Sequence, residues 1–500
     1  MIFNKLRVFA SDTLIYGVST VVGRFLTFLL TPLYTNYVSK SALGDTAYLY
    51  SLIAFINVLY SCGLDSAFFK YFRFSTSLDN KYKEYNCSIF AHAHMGIVSL
   101  SSLLTLCICI MPSTIAQLLR LDEASASIIV YAALIAFFDA CAVVPFAALR
   151  MESRSKRFGL LKLSVIALNV VANLVLVVYM RMGIRGIFLA GTFSSFAGIV
   201  LLVPEFKRYL FTHRIRLDRR LFRELLQFGL PTIPAAVSAI MLQVIDRPIL
   251  KLFVDSAAVG LYQANYRLGI PMMMAVTIFE YAWKPFYLRE TSGARTRKQR
   301  HIAYSLLSRI LTYFTIACGI VFLVAGLLIE FAVRMPFVGG RFIHPSYWSG
   351  LSLVPIVLGG YFCNGLYINF AASVYIRKRT RYLPRVTGAS ALANIALNLA
   401  LIPLCGIWGA AWATLGAYML SAILMYCITR RIYPLRYEWK RILTAVLLCI
   451  LIFGAAHYTT EGMSTILRFT AKVAWILTYP LALAGLGFFR EEEQALFTRK

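Results

Sequence analysis

The chain has 500 residues, of which 59% are hydrophobic and only 14% are charged, and its mean hydropathy is +0.71. This balance is too apolar for a soluble protein, whose surface must meet water. The formal net charge of +28 would suit nucleic-acid binding only if the basic residues gathered on a folded polar surface, but they lie between apolar runs. We therefore expect a membrane protein with no nucleic-acid partner.

Apolar runs predict the membrane spans, because a helix needs about 20 apolar residues to cross the roughly 30 Å hydrocarbon layer. Six runs lie in the first part of the chain, at about 12–34, 46–68, 88–111, 126–149, 158–180 and 184–204. Eight more lie at about 226–250, 258–288, 303–329, 346–376, 382–403, 406–429, 441–458 and 469–489. The prediction is an all-α polytopic membrane protein with about 14 transmembrane helices.

The loops between these runs predict the orientation. Lys and Arg concentrate in alternate loops, as in Arg150–Arg157 and Lys207–Arg223, and positively charged loops stay in the cytoplasm. The first apolar run has no small-residue cleavage site after it, so we interpret it as a span and not as a signal peptide. We expect a multi-pass protein of the bacterial inner membrane with both termini cytoplasmic and with anionic membrane lipids as partners.

Two parts of the chain resemble each other. Asn169-Val-Val-Ala-Asn173 matches Asn394-Ile-Ala-Leu-Asn398, and Gly183-Ile-Arg-Gly186 matches Gly406-Ile-Trp-Gly409. Such repeats are common in secondary transporters, and an even number of spans per repeat implies a pseudo-two-fold axis along the membrane normal. The predicted organisation is an N-lobe of six spans, a basic cytoplasmic linker, a C-lobe of six spans and two additional C-terminal spans, at 1–204, 205–225, 226–430 and 431–500.

Arg24 lies near the middle of the first predicted span. A charge inside a span costs about 2.5–3.5 kcal/mol, so it is expected to face a cavity, a partner or the interface. Polar and small residues recur around Arg24 at three- and four-residue steps and draw one stripe along the helix, namely Thr13, Gly17, Thr20, Thr27 and Thr31. The stripe predicts a water-lined cavity. The alternative is a structural ion pair with Asp139 in the fourth span.

Further charges lie in the seventh, eighth and second spans. Arg267 is a second candidate for the cavity, one turn after Gln263. Asp246 and Arg247 could belong either to the site or to a hinge between the lobes, because Pro231 and Pro234 interrupt the same span. Asp65, at the inner end of the second span, is either a local helix partner or half of a gating salt bridge.

The sequence also lacks the motifs of several other protein classes. It contains no HExxH sequence, Walker loop, G-x-S-x-G elbow or CxxC pair. The loops predicted to lie outside are short, whereas a membrane glycosyltransferase or polymerase needs a sizeable outer loop for its catalytic site. We expect neither an enzyme nor a metal site, and most of the cysteines lie within apolar runs as packing residues.

Short patterns along nearly the whole chain resemble the polysaccharide-export flippases of the MOP superfamily, relatives of the multidrug MATE exporters and of the lipid II flippase. The patterns are Leu14-Ile-Tyr16-Gly17, Pro32-Leu-Tyr34-Thr35, Gly63-Leu-Asp65-Ser-Ala-Phe-Phe69, Ala148-Leu-Arg150 and Asp246-Arg247. The resemblance implies translocation of an undecaprenyl-pyrophosphate-linked oligosaccharide by alternating access of two lobes, beside polysaccharide polymerase or assembly partners. It also implies a cationic cavity, whose arginines match Arg24 and Arg267 here.

A positive cavity suits this cargo, because Arg pairs with pyrophosphate through charge-assisted hydrogen bonds. The alternative function is a MATE-type cation-coupled multidrug exporter. That class is expected to carry a cation-binding carboxylate early in the chain, and no Asp or Glu lies between Thr13 and Tyr37. No cofactor is expected, and coupling to Na⁺ or H⁺ stays open.

Overall fold

The computed structural model describes residues 17–73, 80–121, 125–212, 218–292, 297–432, 435, 437–486 and 488, with the side chains of 80–82, 289, 292 and 297–304 left aside. Thr13, the motif residues before Gly17, and Arg214 and Arg216 of the predicted linker lie outside these residues. The fold class predicted from the sequence is confirmed, since the described chain is helical almost throughout and holds a single two-stranded sheet.

The helices follow one another with few long connections. The first group is α1 Gly17–Tyr37, α2 Lys40–Ser61, α3 Leu64–Tyr71, α4 Asn80–Ile110, α5 Pro112–Leu118, α6 Ala126–Met151, α7 Ser155–Tyr179, α8 Gly183–Leu201 and α9 Val203–Phe206. The next group is α10 Arg219–Gly229, α11 Ile233–Val244, α12 Asp246–Phe253, α13 Ser256–Arg267 and α14 Ile270–Ser292.

The remaining elements are α15 Arg297–Arg334, β1 Pro336–Phe337, β2 Gly340–Arg341, α16 Val354–Ile376, α17 Tyr382–Ile432, α18 Trp439–Thr459 and α19 Thr465–Gly485. The strands pair antiparallel, with Phe337 opposite Gly340. A 3₁₀ helix, Pro345–Leu353, leads into α16, and a π-helical turn, Lys207–Phe211, extends α9.

Among the described residues, twelve helices are long and apolar enough to cross a membrane. Two features explain the difference from the fourteen predicted runs. First, the predicted runs 382–403 and 406–429 both lie in α17, whose backbone leaves the helical conformation at Gly406 (φ 56°, ψ −127°), so α17 contains both predicted helices and is counted once. Second, the predicted run 258–288 is divided into α13 and α14, where Arg267, Glu280 and Lys284 dilute the apolar character. The apolar runs therefore predict the break at Gly406 but not the break between α13 and α14.

The chain divides into two compact units. The first contains Met1–Ala264 and Thr387–Ala413, and the second contains Asn265–Val386 and Thr414–Lys500. The core of the first unit lies among α2, α3, α4 and α6, where Phe68, Phe90 and Val144 are fully buried. The boundaries of these units are set by contacts within the chain and differ from the boundaries of the internal repeat. The predicted lobe boundaries therefore stay a prediction.

In the second unit, the two C-terminal helices pack on α15. Tyr479 is fully buried, and a Cβ atom at Gly319 would come within 2.5 Å of its hydroxyl oxygen. That hydroxyl donates a hydrogen bond to the Ala445 carbonyl at 3.2 Å. The buried Lys472 also forms an ion pair with Glu330 at 2.8 Å. Apolar packing and one buried ion pair therefore attach these helices to the unit.

The two repeated segments adopt the same local structure. Asn173 Nδ2 donates to the Asn169 carbonyl at 2.8 Å, and Asn398 Nδ2 donates to the Asn394 carbonyl at 2.8 Å. The glycines that follow, Gly183 and Gly406, both have φ of +56°, a left-handed conformation that a residue without a Cβ atom adopts at low cost. This equivalence supports the internal duplication.

Part of the predicted linker is docked onto the first unit. Glu152 accepts hydrogen bonds from Arg208 at 2.6 Å and from the Tyr209 hydroxyl at 2.5 Å, and Glu205 pairs with Arg157 at 2.9 Å. Burial, with the contact to Glu152, raises the pKa of Tyr209 above its usual range. The seventh span begins at Arg219 and so includes the end of the predicted linker.

Candidate functional site

Arg24 lies in α1 with its side chain half-buried. Its polar neighbours along the helix differ in exposure. Thr27 is exposed and donates to the Gly23 carbonyl at 2.9 Å, whereas Thr31 is buried. Gly23 allows close packing, because a Cβ atom there would come within 2.7 Å of Ile166 in α7. Only the part of the predicted stripe around Arg24 and Thr27 is accessible, so Thr31 serves packing.

Asp139 lies on α6, and its carboxylate accepts a hydrogen bond from Ser195 of α8 at 2.9 Å. Asn57 of α2 also forms a hydrogen bond with this carboxylate, and Lys162 of α7 places a positive charge near it. Lys162 was not singled out by the sequence analysis, although it is a charge inside the predicted run 158–180 and that signal could have found it. Polar side chains from three other helices thus surround Asp139, while its predicted ion pair with Arg24 stays a prediction.

Asp246 and Arg247 form an ion pair that is almost fully buried, with exposed fractions of 2% and 6%. Arg247 Nη1 lies 2.7 Å from Asp246 Oδ1, and Arg247 Nε donates to Gln263 Oε1 at 3.1 Å. The Tyr262 hydroxyl donates to Asp246 Oδ2 at 2.6 Å. Arg247 also donates to the Gln243 carbonyl. These bonds tie α12 to α13 and favour a structural role, such as a hinge, over a cavity role.

Arg267 is the last residue of α13 and is half-buried. The chain turns directly after it, with the Gly269 amide donating to the Tyr266 carbonyl at 3.1 Å, before α14 begins. The adjoining Asn265 is buried and donates to the Tyr347 carbonyl at 3.0 Å. A cation at a helix C-terminus is stabilised by the helix dipole. Arg267 is thus held at a fixed helix end in the second unit.

Asp65 lies in the first turn of α3, after two residues in the left-handed conformation, Cys62 (φ 46°) and Gly63 (φ 66°). A carboxylate in the first turn is favoured by the helix dipole. A Cβ atom at Gly63 would come within 2.2 Å of the Gly229 carbonyl, so the start of α3 contacts the end of α10. The dipole accounts for Asp65 locally, and gating by a salt bridge stays a prediction.

An ion pair between two helices that are distant in the sequence was not anticipated from the sequence. Lys251 of α12 lies 2.6 Å from Asp45 of α2, and the Ser256 hydroxyl donates to the same carboxylate at 2.6 Å. These residues are about 200 positions apart in the chain, and no local pattern connects them. Among the described residues, no group of three or more His, Cys, Asp or Glu side chains is placed to hold a metal ion.

Comparison with known proteins gives a family and a fold. A family model described as "Polysaccharide biosynthesis protein" matches residues 9–290, which is more than half of the chain. No curated protein sequence matches the chain significantly.

Several solved structures share the fold. A lipid II flippase, MurJ, in an inward closed conformation aligns with a TM-score of 0.73 at 14% identity, covering 95% of this chain and 99% of that one. An inward-facing multidrug resistance MATE family transporter of the MOP superfamily aligns with a TM-score of 0.62 at 14% identity, covering 85% and 98%. The MATE multidrug transporter DinF-BH aligns with a TM-score of 0.59 at 16% identity, covering 85% and 95%.

Proposed function

The chain belongs to the polysaccharide biosynthesis protein family of the MOP superfamily, and from this premise we propose that it moves an undecaprenyl-pyrophosphate-linked oligosaccharide across the bacterial inner membrane. It is a multi-pass membrane protein of a flippase and transporter superfamily. The proposal adds the cargo, the inner membrane, cytoplasmic termini and an alternating-access mechanism. The translocated oligosaccharide would then be used for the synthesis of surface polysaccharide.

The observation that carries this proposal is that Arg24 and Arg267 are both half-buried. Arg24 lies beside an accessible hydroxyl in the first unit, and Arg267 lies at a helix end in the second unit. A pyrophosphate carries at least two negative charges, and a guanidinium offers paired donors that match its oxygens. Each of these arginines would offer donors to the headgroup while the lipid tail stays in the membrane. Arg247 contributes less, because its donors are already bound.

A cation-coupled multidrug exporter is the alternative function, and the shared fold is compatible with it. The sequence of α1 disfavours it, since Gly17–Tyr37 contains no Asp or Glu. A drug exporter would lower the accumulation of cationic dyes in cells. A polysaccharide flippase would leave dye accumulation unchanged and would be required for surface glycan.

Arg24 and Arg267 test the cationic site. Arg24→Ala and Arg267→Ala should abolish glycan export in a strain that lacks the natural gene, without lowering the amount of protein in the membrane. Arg24→Lys should leave partial export, because it keeps the charge and loses the planar fork. Arg220→Ala is the control, since Arg220 is exposed and pairs with Glu224 on its own helix. Parental export by both alanine variants would refute the cationic site.

A further inference from the structure

An open apolar groove runs between α4 and α10 in the first unit, with a volume of about 610 Å³. Its apolar and small lining residues come mainly from α4, and Arg219, Phe222 and Asp218 line its other side. Gly96 brings the two helices together, because a Cβ atom there would come within 2.8 Å of the Phe222 ring. The contact between Gly96 and Phe222 therefore closes the groove on its inner side.

The polar end is fixed by His92. Its Nε2 accepts a hydrogen bond from the Asp218 amide at 2.8 Å, and its Nδ1 lies 2.7 Å from the Ser88 carbonyl. A carbonyl oxygen only accepts, so Nδ1 donates in this contact. The Asp218 carboxylate caps α10 by accepting from the Arg220 amide at 2.8 Å. The start of α10 is thus anchored to α4 at this point.

Basic side chains follow directly on α10. Arg219 lines the groove, and Arg223 lies one turn further along the same helix face. Within the described part of the chain, neither arginine lies within ion-pair distance of a carboxylate. Arg220, whose side chain is 88% exposed, instead pairs with Glu224 at 3.4 Å. Two positive charges at the mouth of the groove therefore lack an acidic protein partner in that part of the chain.

The other end is apolar and accessible. Met95 and Leu103 of α4 are 47% and 59% exposed. From His92 to Leu103 the helix rises about 16 Å, which is close to half of the roughly 30 Å hydrocarbon layer. The groove thus extends from a charged mouth through the depth of one leaflet, and its two ends match the headgroup and the acyl chain of one lipid.

We propose that this groove binds an anionic phospholipid, with the phosphate on Arg219 and Arg223 and an acyl chain along Met95–Leu103. The charge of the mouth selects an anionic headgroup over a zwitterionic one, as expected for basic pockets at the ends of membrane helices. The site lies on α4 and α10, away from Arg24 and Arg267 in the sequence. It goes beyond the proposed function, because it binds a resident lipid and not the cargo.

Native mass spectrometry of the purified full chain with phosphatidylglycerol tests the site. The Arg219→Gln and Arg223→Gln variants should each lose about fivefold in phosphatidylglycerol retention, the loss expected for one basic side chain near an anionic headgroup. Phosphatidylcholine should bind weakly to all forms. Arg220→Gln is the matched control and should retain the lipid, because Arg220 lies on the same helix but is paired with Glu224.

A second variant tests the apolar end without changing charge. Ser99 of α4 lines the groove and is exposed, so Ser99→Trp should fill the space of the acyl chain and lower phosphatidylglycerol retention. Three results would overturn the proposal: equal loss in the Arg220→Gln control, equal binding of phosphatidylcholine, or displacement of phosphatidylglycerol by a polyprenyl phosphate. The last result would assign the groove to the cargo lipid, and none of the three depends on whether export occurs.

Discussion

At the scale of single residues, the buried pair of Asp246 and Arg247 has the contacts of a structural ion pair, whereas Arg24 has those of a candidate binding residue. The carboxylate and guanidinium of the pair form hydrogen bonds with side chains or carbonyls of α11, α12 and α13. Removing one partner leaves the other charge buried and unpaired, at a cost of about 3–5 kcal/mol. Arg24 differs, because its side chain is half-buried beside an accessible hydroxyl.

We predict that Asp246→Ala strongly lowers the melting temperature of the purified protein and its amount in the membrane. Tyr262→Phe should lower stability less, by about 1.5–3 kcal/mol, because it removes one hydrogen bond to a charged group. Thermal unfolding monitored by fluorescence-detected gel filtration measures both. If Arg247→Ala is as stable as the parent and yet exports no glycan, Arg247 belongs to the site and the structural interpretation is wrong.

At the scale of elements, α2 and α13 cross so closely that their backbone atoms are in contact. A Cβ atom at Gly260 would come within 2.0 Å of the Lys40 carbonyl, and one at Gly44 within 1.7 Å of the Ser256 carbonyl. The ion pair between Asp45 and Lys251 lies beside this crossing. Only glycine allows the two helices to approach so closely.

We therefore predict that Gly260→Val lowers the stability of the protein, since backbone atoms cannot move aside as a flexible side chain can. The matched control is Gly454→Val in α18, where a Cβ atom would meet nothing within 4 Å. Gly454→Val should be tolerated. Equal melting temperatures for the two variants would show that the close crossing of α2 and α13 is absent from the protein in the membrane.

Hydropathy predicts most of the helices correctly, because lipid requires every span to satisfy its backbone hydrogen bonds internally and to present apolar side chains. The repeated Asn and Gly residues also predict their shared local geometry. The Asn side chains form hydrogen bonds with nearby backbone carbonyls, and the Gly residues allow a left-handed backbone conformation. Contacts between distant segments leave no such signal. The pairing of Lys251 with Asp45 and the cluster around Asp139 depend on which helices pack together, and apolar runs do not encode that choice.

At the scale of the whole molecule, the distribution of Lys and Arg predicts the orientation of the chain. Reporter fusions at six sites should read cytoplasmic, and fusions at Ala42 and Met463 should read external. The six sites are Lys81, Arg154, Arg216, Arg297, Arg379 and Arg436. A single reversed inner loop would contradict the even number of spans in each predicted lobe, and with it the symmetry inferred from the repeat.

Translocation by the purified protein tests the central claim most directly. Proteoliposomes would carry a lipid-linked oligosaccharide labelled on its sugar, and an impermeant reagent would measure the fraction in the outer leaflet. We predict that the parental protein exchanges the labelled lipid between leaflets, that Arg24→Ala does not, and that mass spectrometry finds the lipid chemically unchanged. Exchange no faster than in empty liposomes, or hydrolysis or sugar transfer on the labelled lipid, would contradict the account.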